Sequence, residues 1–555
     1  MRNHKHKIIP FVVVFAVAAV FLAGKVLADS LDTSVTVGNS APSISAGPAE
    51  SPTSDATTPT NAGANVTFTV TASDSNNENY YLAVCKTNSV TATNGGAPTC
   101  GGGNWCISSA TASAAQASCS YTALDGDAES NVWYAFVCDG NSGAAACSSS
   151  SQGSGASGSP FKVNHRPVFN AITNDTPKNP GQSITWSTDT STLDNDTDGT
   201  ADTVKLVVCK TTGLSAGDCD GGASDRWCES TAVANNPSCS YSIPTPTTDG
   251  SVNAYTYLVD NHNLAASGGN QGANTSYTVS NVAPVVSSVA VNSGSDITLT
   301  EGTTTNVLVR ATVTDNNSCS DLSAVESSLY RSGVGYTACD NNAEDNDNNC
   351  YAVISCSVVS SGNTCGGSTD ASADYDCTVS VQYFADPTDA STLFPSETWK
   401  GTVKATDNNS ATHNAELSTG VELLSLVAYD VTAAISYGTL AVGGSNDPLD
   451  KTTTVTATGN VGLDVEVSGT NMTSGANNIT VDNQKYATAS STAYASGTSL
   501  SGSATEIELN VLKPTSLSAS TKNIWWGLLI PNGTVAGTYT GSNTLIAIKG
   551  ETAGW

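Results

Sequence analysis

Val84-Cys85-Lys86-Thr87, continuing through Asn104-Trp105-Cys106 to Ser118-Cys119-Ser120-Tyr121, recurs as Val208-Cys209-Lys210-Thr211, Arg226-Trp227-Cys228 and Ser238-Cys239-Ser240-Tyr241. The two Cys-Lys-Thr sites stand 124 residues apart, the length of one domain, so the chain carries a duplicated unit.

A boundary motif marks the ends of the units. It reads Val37-Gly-Asn39-Ser-Ala-Pro42, Val163-Asn164-His-Arg-Pro167 and Val279-Ser-Asn281-Val-Ala-Pro284. Each copy follows an alternating stretch (Thr33–Val37, Pro160–Val163, Ser276–Val279) suited to the last strand of a module, after which proline ends the pairing. The prolines are 125 and 117 residues apart, the size of a β-sandwich. Inside the units, Asn65–Thr71, Ser183–Trp186, Thr203–Val208, Asn306–Val313 and Thr398–Ala405 read as strands. Few charges, abundant Ser, Thr, Gly and Ala, and valine as the main branched residue make the chain β-rich and helix-poor. The fold expected is all-β: a signal peptide at 1–28, an orphan strand and linker at 29–41, and about four tandem immunoglobulin-like β-sandwiches at 42–163, 167–279, 284–427 and 429–549.

Arg2, Lys5 and Lys7 precede an apolar run from Ile8 to Leu22, and Val26-Leu27-Ala28 offers small residues at the cleavage subsites of a secretory signal. Cleavage after Ala28 leaves 16 basic against 49 acidic residues, a charge of −33. Such a surface repels phosphate backbones, so no nucleic-acid partner is expected, and it favours divalent cations. No later stretch is long and apolar enough to span a membrane. The expected location is extracellular or at the cell surface.

All sixteen cysteines lie between Cys85 and Cys377, and in an exported chain they point to disulfides. Cys85, Cys100, Cys106 and Cys119 correspond to Cys209, Cys219, Cys228 and Cys239, and within each set three connectivities remain open. Cys138 of the first unit has become Val259 in the second, and Cys147 is missing there too. Cysteines lost together are most simply partners, so Cys138 pairs with Cys147. A zinc reading fits poorly with the five-residue gap between Cys100 and Cys106.

Asp194-Asn-Asp196-Thr-Asp198-Gly199-Thr200-Ala-Asp202 sets carboxylates at alternate positions with a glycine for the tight turn and the carbonyl of Thr200 as a further donor. That donor set suits calcium, a hard ion that takes 6–8 oxygens. The stretch resembles the Asp-rich loops of dockerin and thrombospondin repeats, but Lys205 replaces the closing glutamate of an EF-hand and a strand follows. Aligned on the Cys-Lys-Thr sites, Asp198 and Asp202 fall on Asp74 and Glu78, and the third module has Asp315 and Asp321 after its own strand. Calcium is the cofactor expected at Asp194–Asp202, with a solvated acidic turn as the alternative; at Asp74 with Glu78 and at Asp315 with Asp321 an Asx-rich turn without metal is at least as good a reading as a calcium site. The run between Cys339 and Cys350 reads as a cysteine-closed mobile loop.

Tyr437–Gly443, Thr454–Asn460 and Leu463–Val467 look like the opening strands of PapD-like sandwiches. Ile524–Pro531 with Gly537–Gly541 resembles the final hairpin of secreted bacterial surface modules. The whole arrangement resembles multi-module bacterial cell-surface proteins with PKD-like or cadherin-like repeats. That resemblance implies a structural surface protein of surface-layer or filament type, or alternatively an adhesin or carbohydrate-binding protein; the partner would be the protein itself or cell-surface glycans. The orphan stretch Thr33–Val37 reads first as a disordered leader, the alternative being that it pairs with the open edge of another copy. No enzyme activity is expected: His165, His262 and His413 lie in linker or turn contexts away from a credible nucleophile. Trp105 and Trp227 read as packing residues against a disulfide rather than as sugar platforms.

Overall fold

The computed structural model describes residues 31–153, 155–188, 203–340, 346–432 and 434–555. Among them nearly all regular structure is strand, and the one α-helix is the short Tyr336–Asp340. The chain divides into two compact units, Met1–Val163 and Asn164–Trp555.

In the first unit, strand Asn65–Ser73 buries Val66, Phe68, Val70 and Ala72 and exposes the residues between, the period of two that a half-covered strand requires. It pairs with Ser43–Ser51 and Gln116–Thr122 to form one layer. Tyr80–Cys85, between Tyr134–Asp139 and Asn104–Ile107, forms the layer facing it. Tyr80, Leu82 and Val84 point to the shared core, but Ala83 and Cys85 are equally buried, under Cys100, Cys138, Cys147 and Phe136. The disulfides Cys85–Cys100 and Cys138–Cys147 therefore roof the outer face of this layer, which explains why the strand is apolar on both sides. Cys106–Cys119 joins the two layers.

The second unit opens with the same scheme. Ser183–Thr188 lies between Ile172–Asn174 and Ser238–Ser242, opposite Val204–Cys209, which lies between Arg226–Glu229 and Tyr255–Asp260. Cys209–Cys219 and Cys228–Cys239 repeat the first two bridges, and Val259 fills the place of Cys138 at the buried outer face. A third core gathers on Thr305–Thr314 and Ser372–Val381 facing Leu322–Arg331 and Trp399–Asp407, with bridges Cys319–Cys365, Cys339–Cys350 and Cys356–Cys377. A fourth, without cysteine, packs Lys451–Ala457 and Ser520–Leu528 against Leu463–Gly469, Thr505–Val511 and Asn543–Lys549. The third and fourth cores are joined by Lys513, which is buried and donates from Nζ to Phe384 O at 2.7 Å and Asn348 Oδ1 at 2.9 Å.

Three local expectations are corrected. Thr33–Val37 forms no strand here, and Leu31, Val35 and Val37 stand exposed, because no sheet edge lies beside them among the described residues. Tyr437–Gly443 is also not a strand; the fourth sandwich starts instead at Tyr429–Val431. Finally, Ser520–Leu528 pairs with Lys451–Ala457 and Gln484–Ala487, not with Gly537–Gly541, whose contribution is a single bridge from Thr540 to Thr473.

Candidate metal centre

Each boundary asparagine is tied to an aspartate 96 to 126 residues further on. Asn39 Nδ2 donates to Asp139 Oδ2 at 2.8 Å, Asn164 Nδ2 to Asp260 Oδ2 at 2.7 Å, and Asn281 Nδ2 to Asp407 Oδ2 at 2.8 Å. Each aspartate ends a strand of the second layer and uses its other oxygen to cap the turn that follows. Asp139 Oδ1 accepts from the N–H groups of Asn141 and Ala146, Asp260 Oδ1 from His262 and Leu264, and Asp407 Oδ1 from Asn409 and Ala411. The turn fixes the carboxylate, and the carboxylate fixes the linker.

Against this pair lie the acids read from the sequence. Asp74 and Glu78 close on Asp139, and Asp315 and Asp321 close on Asp407, with a carboxylate oxygen from each member of a trio within 4.8 Å of the others. Here too the geometry repeats. Asp74 Oδ1 caps its own turn by accepting from Asn76 N at 2.6 Å, as Asp315 Oδ1 does from Asn317 N at 2.7 Å. Asn76 Oδ1 in turn accepts the linker N–H of Ser40 at 2.9 Å, and Asn317 Oδ1 that of Val282 at 2.7 Å.

After these bonds are made, the same three oxygens remain in both sites. In the first they are Asn39 Oδ1, Asp74 Oδ2 and Glu78 Oε2; in the third, Asn281 Oδ1, Asp315 Oδ2 and Asp321 Oδ2, all shielded from solvent and without a hydrogen-bond donor. Asp315 is completely buried and Asp74 nearly so. A buried acceptor without a donor is costly, and a cluster of carboxylates more so. Accordingly, burial holds the Asp315 carboxyl above the usual carboxylate range. Asp321 is raised by burial first and then by the neighbouring charges of Asp249 and Asp407, and Asp260 by burial.

Such a convergence of uncompensated hard oxygens fits a divalent cation of calcium's type, supplying one amide and two to three carboxylate donors and leaving the rest of a 6–8 oxygen shell to water. Asp194, Asp196, Asp198, Thr200 and Asp202 lie outside the described residues. The second sandwich nonetheless holds the Asn164–Asp260 pair that frames the other two sites.

In the second unit the site also reaches the preceding sandwich. Asn317 Nδ2 donates to Ser280 O at 3.0 Å and Thr247 O at 3.1 Å, and Asn409 Nδ2 to Asp249 Oδ2 at 2.8 Å. The donor trio therefore sits where the third sandwich grips both the linker and a loop of the second.

The asparagines and Asp139, Asp260 and Asp407 were not assigned to the site from sequence. Their signal was present, in the asparagine of every boundary motif and in the alignment of Cys138-Asp139 with Val259-Asp260. Another acidic group, Asp464 with Glu508 and Glu551, differs in kind, since the latter two are exposed and Asp464 accepts from Asn510 N. Trp105 is no platform: its ring meets Tyr121 and Phe161 edge-on, each with centroids 4.9 Å away, and Lys86 lies over it. Trp227 repeats this with Tyr241, Tyr277 and Lys210.

No family model matches the chain, and no curated protein does. Solved structures that resemble it include a marsupial T cell receptor, at 13% identity and a TM-score of 0.24, covering 65% of this chain and 98% of that one. An ICAM-5 D1–D4 ectodomain fragment shares 8% identity at a TM-score of 0.24, covering 88% and 95%. A protocadherin gammaB7 EC3-6 cis-dimer structure shares 12% identity at 0.24, covering 83% and 92%. At such scores no ligand, partner or role carries across.

Proposed function

We propose that this chain is a secreted structural protein of the cell surface, of surface-layer or surface-filament type, whose tandem sandwiches are stiffened by disulfides and by calcium at the sandwich starts. The observation that carries the reading is the repeated trio of donor-less oxygens, Asn39, Asp74 and Glu78 in one site and Asn281, Asp315 and Asp321 in another. Two sites with the same residual donors, framed by the same two capped turns, are a built arrangement rather than a chance accumulation of acids. Eight disulfides among the described residues fit an oxidising, extracellular setting.

Calcium acts on architecture here. Bound between the linker asparagine and the acids of the following sandwich, it fixes the chain direction at the boundary and removes the mutual repulsion of the carboxylates. Binding to the folded state alone raises stability by mass action. The test is a pair of thermal unfolding curves of the whole chain, one with calcium and one with a chelator. An upward shift with calcium supports the reading, and superimposed curves refute it.

A further inference from the structure

Among the described residues one alternating stretch lacks a sheet to enter, and one sheet edge lacks a second ladder. In the second and third sandwiches the closing stretch is flanked on both sides. Val279 pairs with Gly250 and, in parallel, with Lys178; Val421 pairs with Trp399 while Leu423 pairs in parallel with Ile297. In the first, Phe161–Asn164 lies between Thr60–Asn61 and Ser130–Asn131. An early segment of each sandwich thus covers the outer edge of its own last strand.

The fourth sandwich departs from this rule. Its last strand, Asn543–Lys549, pairs with Leu463–Gly469, and among the described residues no second ladder reaches it, its outer edge being met by one side chain, Tyr429, whose Oη donates to Leu545 O at 2.6 Å. The segment that should cover it, 432–444, turns to other partners: Thr432 N bonds Thr454 O, and Gly443 N bonds Ile530 O. Beside this segment two neighbouring cavities of about 310 and 380 Å³, which share Ile435, Tyr437 and Met472, form a seam of mixed polar and apolar lining, and the first of them reaches Asn543 and Leu545 of the strand. Ile546 on the open strand is 48% exposed.

At the other end of the chain, Leu31, Thr33, Val35 and Val37 fall on one side of an extended backbone, with Asp32, Ser34 and Thr36 on the other. Leu31 and Val35 are 87% exposed and Val37 76%. Its counterparts Pro160–Val163 and Ser276–Val279 enter sheets. One apolar face and one polar face are what an edge position over a sandwich core demands.

We propose that residues 31–37 of one copy add as a strand to the open edge of Asn543–Lys549 in a second copy, with Leu31, Val35 and Val37 entering the seam beside Ile435, Tyr437 and Met472. The contact is heterologous and does not close on itself, so repetition builds a head-to-tail filament. This deepens the structural reading above by naming the partner, and it does not require the cation.

The experiment uses a labelled synthetic peptide of residues 29–37 and the chain lacking those residues, which keeps Asn39 and Ser40 in place. Fluorescence anisotropy should show saturable binding, weakened more than about tenfold when the peptide carries Val35→Asp and Val37→Asp. In parallel, sedimentation velocity of the full chain should show species that lengthen with concentration, and the truncated chain should remain monomeric. An unaltered melting curve of the truncated chain establishes that it is folded. The proposal is overturned if the peptide does not bind, if the double-aspartate peptide binds equally, or if the full chain sediments as a monomer at every concentration. Failure of the calcium reading shows separately, as melting curves indifferent to chelator while the peptide still binds.

Discussion

Asn281 Nδ2 and Asp407 Oδ2 lie 2.8 Å apart across 126 residues of chain, and the same bond joins Asn39 to Asp139 and Asn164 to Asp260. The amide spends its donor on the aspartate, and in Asn39 and Asn281 the amide oxygen is left shielded from solvent and without a donor.

Replacing Asp315 by asparagine keeps the turn cap but removes a buried charge. Calcium affinity at the third sandwich should fall by about 10–100-fold, and Asn281→Ala should do the same through the lost amide oxygen. Calorimetric titration checks both, with the remaining sites as internal reference. In the chelated protein Asp315→Asn should leave the melting temperature equal or higher, because repulsion with Asp321 and Asp407 is relieved.

Glu50 is an acid of another kind. It is buried, accepting from Trp133 Nε1 at 2.6 Å and Ser54 N at 3.1 Å, and burial pushes its carboxyl up to about 7. The unfolded chain releases this proton near 4.5 and the folded chain only near 7, so between those values the unfolded state holds fewer protons. Stability of the first sandwich should therefore decline as pH rises from about 4.5 to 7, by on the order of 1–3 kcal/mol, and level off above. Denaturant midpoints across that range test it, and Glu50→Gln should flatten this part of the profile.

Lys513 crosses from the fourth sandwich into the third, where Nζ also lies 3.1 Å from Asp386 Oδ1. Lys513→Met strands Asn348 Oδ1 and the carbonyl of Phe384 and leaves Asp386 to Arg331 alone. A loss of about 3 kcal/mol is expected, read from urea unfolding of the whole chain.

Removing the Cys138–Cys147 bridge by serine substitution opens a short loop across a separation of nine residues. The expected cost to the first sandwich is about 2 kcal/mol. The second sandwich has Val259 and no bridge at this place, so its unfolding should be unchanged.

The class of fold was legible because valine-rich strands alternate and prolines recur at domain spacing. Pairing within the four-cysteine sets was not, since spacing is indifferent among the three connectivities; the structure joins neighbours, Cys85 to Cys100 and Cys106 to Cys119. Half of each candidate metal site was legible as well. Asp74 with Glu78 and Asp315 with Asp321 are local in sequence, while Asp139 and Asp407 arrive only when a strand from the far side of the sandwich is laid beside them. Thr33–Val37 shows the opposite failure. Alternation describes what a strand would bury, but whether it pairs depends on an edge that its own neighbourhood does not supply.

The central claim is that a cation completes the trios of oxygens at the sandwich starts. Differential scanning calorimetry of the whole chain in millimolar calcium and in excess chelator tests it most directly. The account predicts a melting transition several degrees higher with calcium, the shift shrinking when Asp74 and Asp315 are both changed to asparagine. Identical traces in the two buffers, or a shift that the double substitution leaves intact, would contradict it.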